Sequence, residues 1–325
     1  MVDFTRRKKD STGNNGDFKS HEISILLKMS LTAMSVSSIN CIFMINSQIK
    51  QPKAIDKVSS PIFIVGCDRS GTTLLRLMLN QSPVLYIPPE TRFIKALVAN
   101  KVIYGDFSQS YQRHFFIRDL QTNKATSKTF TFPVFDLTVA EAAAAIEQVA
   151  PTDFTGASQA IFQASATKRN KQRWGDKTPH QIQDITTLAQ LFPTAQFVHI
   201  IRDGRDVAVS MRKAGWLKGN MLDIADYWQK QVRAGVNAGK SLENSQDRYY
   251  DITYEDILQS PEASLKALCV WLNLEYMPQM LQYYRDANAN LPPEHNSLFE
   301  LNQKPLEASR VYAWKQKFSQ QDRAD

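Results

Sequence analysis

Twice in this chain a short apolar run breaks off at a polar loop that leads straight into a helical pattern. The first is Ile62-Phe63-Ile64-Val65, then Gly66-Cys67-Asp68-Arg69-Ser70-Gly71-Thr72-Thr73, then Leu74 to Leu79. The second is Gln196 to Ile201, then Arg202-Asp203-Gly204-Arg205-Asp206, then Val207 to Arg212. A short, β-branched, wholly apolar run is the pattern of a strand covered on both faces, as in a parallel sheet. Strand, loop and helix repeated in this way predict an α/β fold of three layers, P-loop-like, with a parallel sheet flanked by helices.

The loops carry the chemistry. A glycine loop between strand and helix aims several backbone N–H groups at one point, where the helix dipole adds partial positive charge, so it makes an anion cradle. Gly66 and Gly71 have the spacing of a nucleotide P-loop, G-x-x-x-x-G-K-[ST], but Thr72 stands where the lysine belongs. The cation that clamps a γ-phosphate is therefore missing, and Arg69 supplies one from within the loop. That suits a nucleotide whose chain is shorter than a triphosphate. Taken alone, such a loop also serves as an ordinary tight βα turn. In the second motif Asp203 can cap the helix, while Arg202 at the strand end and Ser210 on the helix can converge on one anion in the crevice where open α/β sheets bind ligands. Arg202 can equally pair with Asp203 or Asp206.

Composition excludes several classes. The 325 residues are 43% hydrophobic and 22% charged, which rules out collagen-like, coiled-coil and wholly disordered chains. The net charge of +7 is concentrated at the front: residues 1–60 hold nine Lys/Arg and five Asp/Glu, leaving 30 against 27. A body so nearly balanced needs no nucleic acid as partner. Cys41, Cys67 and Cys269 give no disulfide framework, and His21, His114, His180, His199 and His295 show no metal-ligand spacing, so no metal is expected. His199, inside a strand pattern, is expected in the core.

Residues 1–60 are expected to form a basic, poorly ordered N-terminal segment, and 61–325 the functional domain, with a helical insertion at about 91–170 that builds the acceptor pocket. Residues 29–49 carry no charge, but seven Ser and Asn make them too polar for a comfortable span of about 20 apolar residues. A cytoplasmic protein is the expectation, with membrane association through 29–49 the alternative; Met29, Met34 and Met44 also allow a later start. Helices are predicted over 139–149, 223–239 and 261–274, with Trp228 and Trp271 in the core.

Together the two motifs resemble those of sulfotransferases that use 3′-phosphoadenosine 5′-phosphosulfate (PAPS), nearest to bacterial members similar to tyrosylprotein and heparan sulfotransferases. Arg69-Ser70-Gly71-Thr72-Thr73-Leu74 looks like the family's 5′-phosphosulfate loop. Phe197 to Ser210 looks like its 3′-phosphate motif, in which an Arg at the strand end and a Ser eight residues later hold the 3′-phosphate. The resemblance runs from about Pro61 to Ser319. It implies a PAPS-dependent enzyme that passes the sulfuryl group by in-line displacement to a hydroxyl acceptor, whether small molecule, carbohydrate, lipid or peptide tyrosine. The product would be 3′,5′-diphosphoadenosine. Asp68 stands where the family commonly has proline.

Further segments match. Trp174-Gly175-Asp176-Lys177-Thr178-Pro179 resembles the Lys-Thr-Pro segment whose lysine approaches the transferring group, although Lys177 also reads as an exposed lysine before a proline-started helix. Tyr254 resembles the tyrosine near adenine, or is a strand-end aromatic covering the core. Arg310, in Ser309 to Lys315, resembles the late arginine that closes over the nucleotide. For the base, Glu90 follows the apolar run Val84 to Ile87 and lies in a stretch similar to the family's Glu-x-[basic]-[apolar], with Arg92 placed to orient it. Apolar surroundings are expected to raise its pKa toward the working range. His180, close behind Lys177, is the runner-up, with Pro179 intervening. The alternatives are a P-loop kinase or NTPase, disfavoured by Thr72 and by the lack of an apolar-strand-plus-Asp magnesium site, and a non-catalytic anion-binding protein.

Overall fold

The computed structural model describes residues 59–92, 94, 98, 101–122, 132–215, 220–287 and 300–324. All lie in the larger of two compact units, Ile55–Asp325. The expectations for residues 1–58, the uncharged stretch 29–49 included, fall outside the described residues.

Five strands make one sheet: β1 (Ile62–Gly66), β2 (Leu85–Tyr86), β3 (Arg173–Lys177), β4 (Gln196–Ile201) and β5 (Tyr249–Thr253), in the order β2-β3-β1-β4-β5. Every pair is parallel, with Ile62 opposite both Gly175 and Gln196. Parallel neighbours need crossover connections, which lay helices on both faces. That is why β1 reads as unbroken hydrophobic sequence: all five of its residues are buried.

Alternation divides the strand residues between two cores. Phe63 and Val65 face the same side as Trp174 and Phe197, covered by α2 (Ser110–Thr122), α3 (Val139–Val149), α4 (Phe154–Lys168) and α5 (Ile185–Leu191). Ile62, Ile64, Val198 and Ile200 face the other side, under α1 (Thr72–Leu79), α8 (Tyr254–Gln259) and α9 (Pro261–Leu272). Between β4 and β5 the chain forms α6 (Gly204–Ala214) and α7 (Met221–Lys240), whose Val207, Met211 and Ile224 pack on Cys67 of the first loop.

Local sequence accounts for the boundaries. Thr138 and Glu141 form a reciprocal capping box that starts α3. Asp203 caps α6 through its carboxylate, which accepts from the Arg205 N–H at 2.9 Å. Asn273, in the left-handed conformation, ends α9 two residues before the sequence pattern does. Trp271 donates its indole N–H to the Gln246 carbonyl. His199 is buried in β4, its Nδ1 2.6 Å from the Tyr249 hydroxyl, and burial pulls the imidazole down to about 4.

Candidate active site

Most of the functional side chains lie at or just beyond the carboxyl ends of β1 to β5, while Ser210 comes from α6 and Arg310 from the C-terminal segment. After β1 the loop is closed by the Ser70 N–H donating to the Cys67 carbonyl at 3.2 Å. Arg69 and Gly71 both have positive φ, 68° and 100°, so the loop curls around a point in front of α1. Gly71 is required twice over. Its φ is one that side chains rarely adopt, and a Cβ there would lie 2.5 Å from Tyr254 Cδ2.

The two phosphate motifs meet. Arg69 Nε donates to Ser210 Oγ at 3.1 Å, and Arg202 Nη1 donates to the Arg69 carbonyl at 3.1 Å. The Arg202 guanidinium lies over the Tyr254 ring, 4.3 Å from its centroid, and its closest carboxylate is that of Asp206, at 4.0 Å. Asp203 pairs instead with Arg205. Burial, followed by the neighbouring Arg202, pulls the Arg69 guanidinium below its ordinary range, yet an arginine keeps its charge at neutral pH. Arg310 reaches the same cleft, donating to the Leu301 carbonyl at 3.3 Å.

Four buried polar atoms among these residues have no hydrogen-bond partner within the described residues: Ser70 Oγ, Arg202 Nε, Asp206 Oδ2 and Arg310 Nη2. Buried donors are almost always satisfied. Arg202 and Arg310 line one cleft with Thr72 and Thr73, and their unsatisfied donors fit a ligand that brings anionic oxygens.

On its other side stands an ion cluster. Lys177, buried at the end of β3, donates to Glu90 Oε2 at 3.1 Å, and Arg92 Nε donates to Glu90 Oε1 at 2.7 Å. Burial pushes the Glu90 carboxyl up, but the two cations outweigh it and hold the group down at about 2. The expected upward shift is thus corrected: the desolvation is present, and the neighbouring charges reverse its sign. Burial lowers the Lys177 ammonium, against the pull of Glu90.

His180 is turned away from this cluster. Its half-exposed ring (47%) points Nδ1 at Asp68 Oδ2, 3.3 Å away, and Pro179 takes its place in the cleft wall. Asp68, where the family commonly has proline, also accepts from the Tyr227 hydroxyl at 2.7 Å; burial and this bond push that phenol far up.

Sequence reasoning missed one support of Arg202 and held the other only as an alternative. Trp228, assigned to the core, donates its indole N–H to the Arg202 carbonyl at 3.0 Å. Asp206 is buried, faces Arg202 and accepts from the Trp314 N–H at 2.8 Å. Of the two partners the sequence offered Arg202, the one i,i+4 away is the one it faces; nothing local pointed to Trp228. Among the described residues no group of three or more His, Cys, Asp or Glu could hold a metal ion, and no helix is long and apolar enough to cross a membrane.

The fold is a parallel α/β sheet with a P-loop-like cradle after its first strand, and Arg202 and Ser210, after its fourth, line one cleft with it at the strand ends. The chain belongs to the Sulfotransferase family, whose profile matches residues 61–278. It is 25% identical over 257 residues to "Protein-tyrosine sulfotransferase 1" of Danio rerio, covering 76% of this chain and 62% of that protein. It is 28% identical over 264 residues to "Omega-hydroxy-beta-dihydromenaquinone-9 sulfotransferase Stf3" of Mycobacterium bovis, covering 70% and 67%. The chain therefore spans somewhat over half the length of the tyrosine sulfotransferases it matches, 62% in Danio rerio and 53% in Gallus gallus. The sulfotransferase domain from the curacin biosynthetic pathway shares the fold, with a TM-score of 0.54 and 20% identity over 81% of this chain and 92% of that one. The sulfotransferase domain of the Synechococcus PCC 7002 olefin synthase does so too, at 0.54 and 22%, over 81% and 90%.

Proposed function

We propose that this chain transfers a sulfuryl group from PAPS to a hydroxyl acceptor. The observation that carries the reading is the convergence, in one cleft, of Arg69, Ser210 and Arg202 on one side and the Lys177–Glu90 pair on the other. Family membership agrees with it.

In this reading Arg202, Ser210 and Arg310 hold the 3′-phosphate, and the loop from Arg69 to Thr73 holds the 5′-phosphosulfate, with Tyr254 beside the adenine. PAPS supplies the activated sulfur–oxygen bond. The acceptor oxygen bonds to sulfur as the bond to the bridging oxygen breaks, and the electron pair passes to the 5′-phosphate, where Arg69, Lys177 and the loop N–H groups stabilise it. The acceptor proton passes to the Glu90 carboxylate. Lys177 has two anions to choose between. When it turns from Glu90 toward the transferring group, the carboxylate loses one of the cations that hold it down, and its proton affinity rises. His180, with its ring held by Asp68 outside the cleft wall, is the lesser candidate for the base.

The acceptor is proposed only as a hydroxyl, because the named relatives are a protein-tyrosine and a menaquinone-type sulfotransferase. Incubation with PAPS and a panel of hydroxyl acceptors, read by mass spectrometry, tests the function. The expected result is 3′,5′-diphosphoadenosine and a sulfated product, unchanged by EDTA. Magnesium-dependent turnover of ATP with no turnover of PAPS would overturn it.

A further inference from the structure

Glu90 and Arg92 face the cleft cluster, but Thr91 between them turns into the protein. Its side chain is fully buried, and its hydroxyl donates to Asp176 Oδ1 at 3.0 Å. Asp176 is fully buried too, and it accepts from Gln181 Nε2 at 2.7 Å and from Thr178 Oγ1 at 3.3 Å. Thr178 Oγ1 in turn accepts from the Arg92 N–H at 3.3 Å. Arg92 has a φ of 51°, a left-handed conformation that persists in a non-glycine residue only when its surroundings hold it.

The consequence is geometric. The residue before Lys177 grips the residue after Glu90, and the residue after Lys177 grips Arg92. The parallel pairing of β2 with β3, Tyr86 opposite Trp174, delivers both segments to the same end of the sheet. Stability alone does not call for such an arrangement. The hydrogen-bond partners of Asp176 are neutral, and burial pushes its carboxyl up to about 6 despite them, whereas an apolar cluster of the same volume would carry no desolvation penalty. A buried hydrogen-bond network of this kind instead specifies one arrangement of the groups it joins.

We propose that Asp176 and Thr91 are positioning residues for sulfuryl transfer: their hydrogen bond fixes the Glu90 carboxylate against Lys177 at the end of β3. This rests on the reading of Glu90 as the base. Neither residue reaches the reacting atoms, so both act through Glu90, where small misplacements of a reacting group lower rates steeply.

Thr91→Val keeps the side-chain shape and removes the donor, and Thr91→Ser restores it. Thr91→Val is expected to lower kcat about tenfold or more, with KM for PAPS and calorimetric affinity for 3′,5′-diphosphoadenosine unchanged. Thr91→Ser should recover most of the rate. In a Glu90→Gln background Thr91→Val should have no further effect, because the group it positions is gone. If Thr91→Val fails to fold by near-UV circular dichroism, Thr91→Ala serves as the second variant against the same serine rescue. Full kcat in the valine or alanine variant, with Glu90→Gln inactive, overturns the positioning role alone. An equal loss in both backgrounds also overturns it, and full activity of Glu90→Gln overturns the reading of the base.

Discussion

The Lys177 ammonium and the Glu90 carboxylate, 87 residues apart in the chain, meet at 3.1 Å at the carboxyl end of the sheet. The pair is unequal. The Lys177 side chain is 4% exposed and that of Glu90 25%, so the cation is sunk in protein while the carboxylate opens to the cleft. A buried ammonium is tolerated because it has an anion beside it. That anion is also the group proposed to accept the proton of an incoming hydroxyl.

Glu90→Gln removes the proposed base and keeps the shape. Turnover is expected to fall about 100-fold or more, within the range that general-base catalysis contributes, while calorimetry shows 3′,5′-diphosphoadenosine binding retained. His180→Ala should be the milder change, because its ring is half exposed and turned to Asp68. The reverse ranking in single-turnover assays would transfer the role to His180.

Two carboxyls near the cleft should respond to pH with opposite signs. Glu90 sits at about 2 when folded, below its ordinary 4.5, so its contribution to stability is present above about pH 4.5 and lost as pH falls toward 2. Asp176 sits at about 6, above its ordinary 3.8. The folded state then holds the extra proton, and stability falls as pH rises from about 4 to 6. Thermal unfolding checks both. The Tm advantage of the wild type over Glu90→Gln should shrink between pH 5 and about 3. Relative to Asp176→Asn, the wild type should gain as pH drops from about 7 to 4. A parallel pH course for the two differences would contradict the assignment.

The elements that were legible in the sequence are those whose signal is local. Ile62 to Val65 is a continuous apolar run and Gln196 to Ile201 a mostly apolar, β-branched one, the pattern of strands covered on both faces. The cradle and the arginine–serine clamp follow within a few residues of those strands, so their positions came with them. Contacts over long separations were not legible. That Glu90 lies between Lys177 and Arg92, and so is driven down instead of up, depends on where β2 and β3 end relative to each other. The engagement of Asp68 by Tyr227 and His180 spans 159 residues on one side and depends on which way the chain turns at Pro179 on the other. The capture of Arg202 by Trp228 rests on α7 folding back against α6, a packing choice that no periodicity reports.

Gly71→Ala tests the cradle. A methyl group there meets the Tyr254 ring at 2.5 Å, and φ of 100° strains any side chain. The loop must open or Tyr254 must move, and Tyr254 carries the Arg202 guanidinium on its face. Nucleotide affinity should fall by more than about tenfold, the equivalent of one lost contact of about 1.4 kcal/mol, with the far-UV spectrum unchanged. Wild-type affinity would mean that the loop does not hold the ligand.

Arg202 should decide between nucleotides. It is held from three directions: Nη1 by the Arg69 carbonyl, the guanidinium plane by Tyr254, and its own carbonyl by the Trp228 indole. Its Nε has no partner among the described residues, and the Asp206 carboxylate stands 4.0 Å from Nη2, beyond hydrogen-bond distance. A fixed guanidinium with a spare donor is suited to a phosphate that stays in one place, and it loses little entropy on binding one. The protein should therefore bind 3′,5′-diphosphoadenosine more tightly than adenosine 5′-phosphate, by roughly tenfold or more for each charge-assisted contact of about 1.5 to 3 kcal/mol. Arg202→Ala should erase most of that preference while leaving adenosine 5′-phosphate binding nearly unchanged, and Ser210→Ala should erase a smaller part, because its hydroxyl is shared with Arg69. Calorimetric titration of both nucleotides against the three proteins gives the comparison directly. Equal affinity of the wild type for the two nucleotides would remove the 3′-phosphate from Arg202 and with it the assignment of the donor.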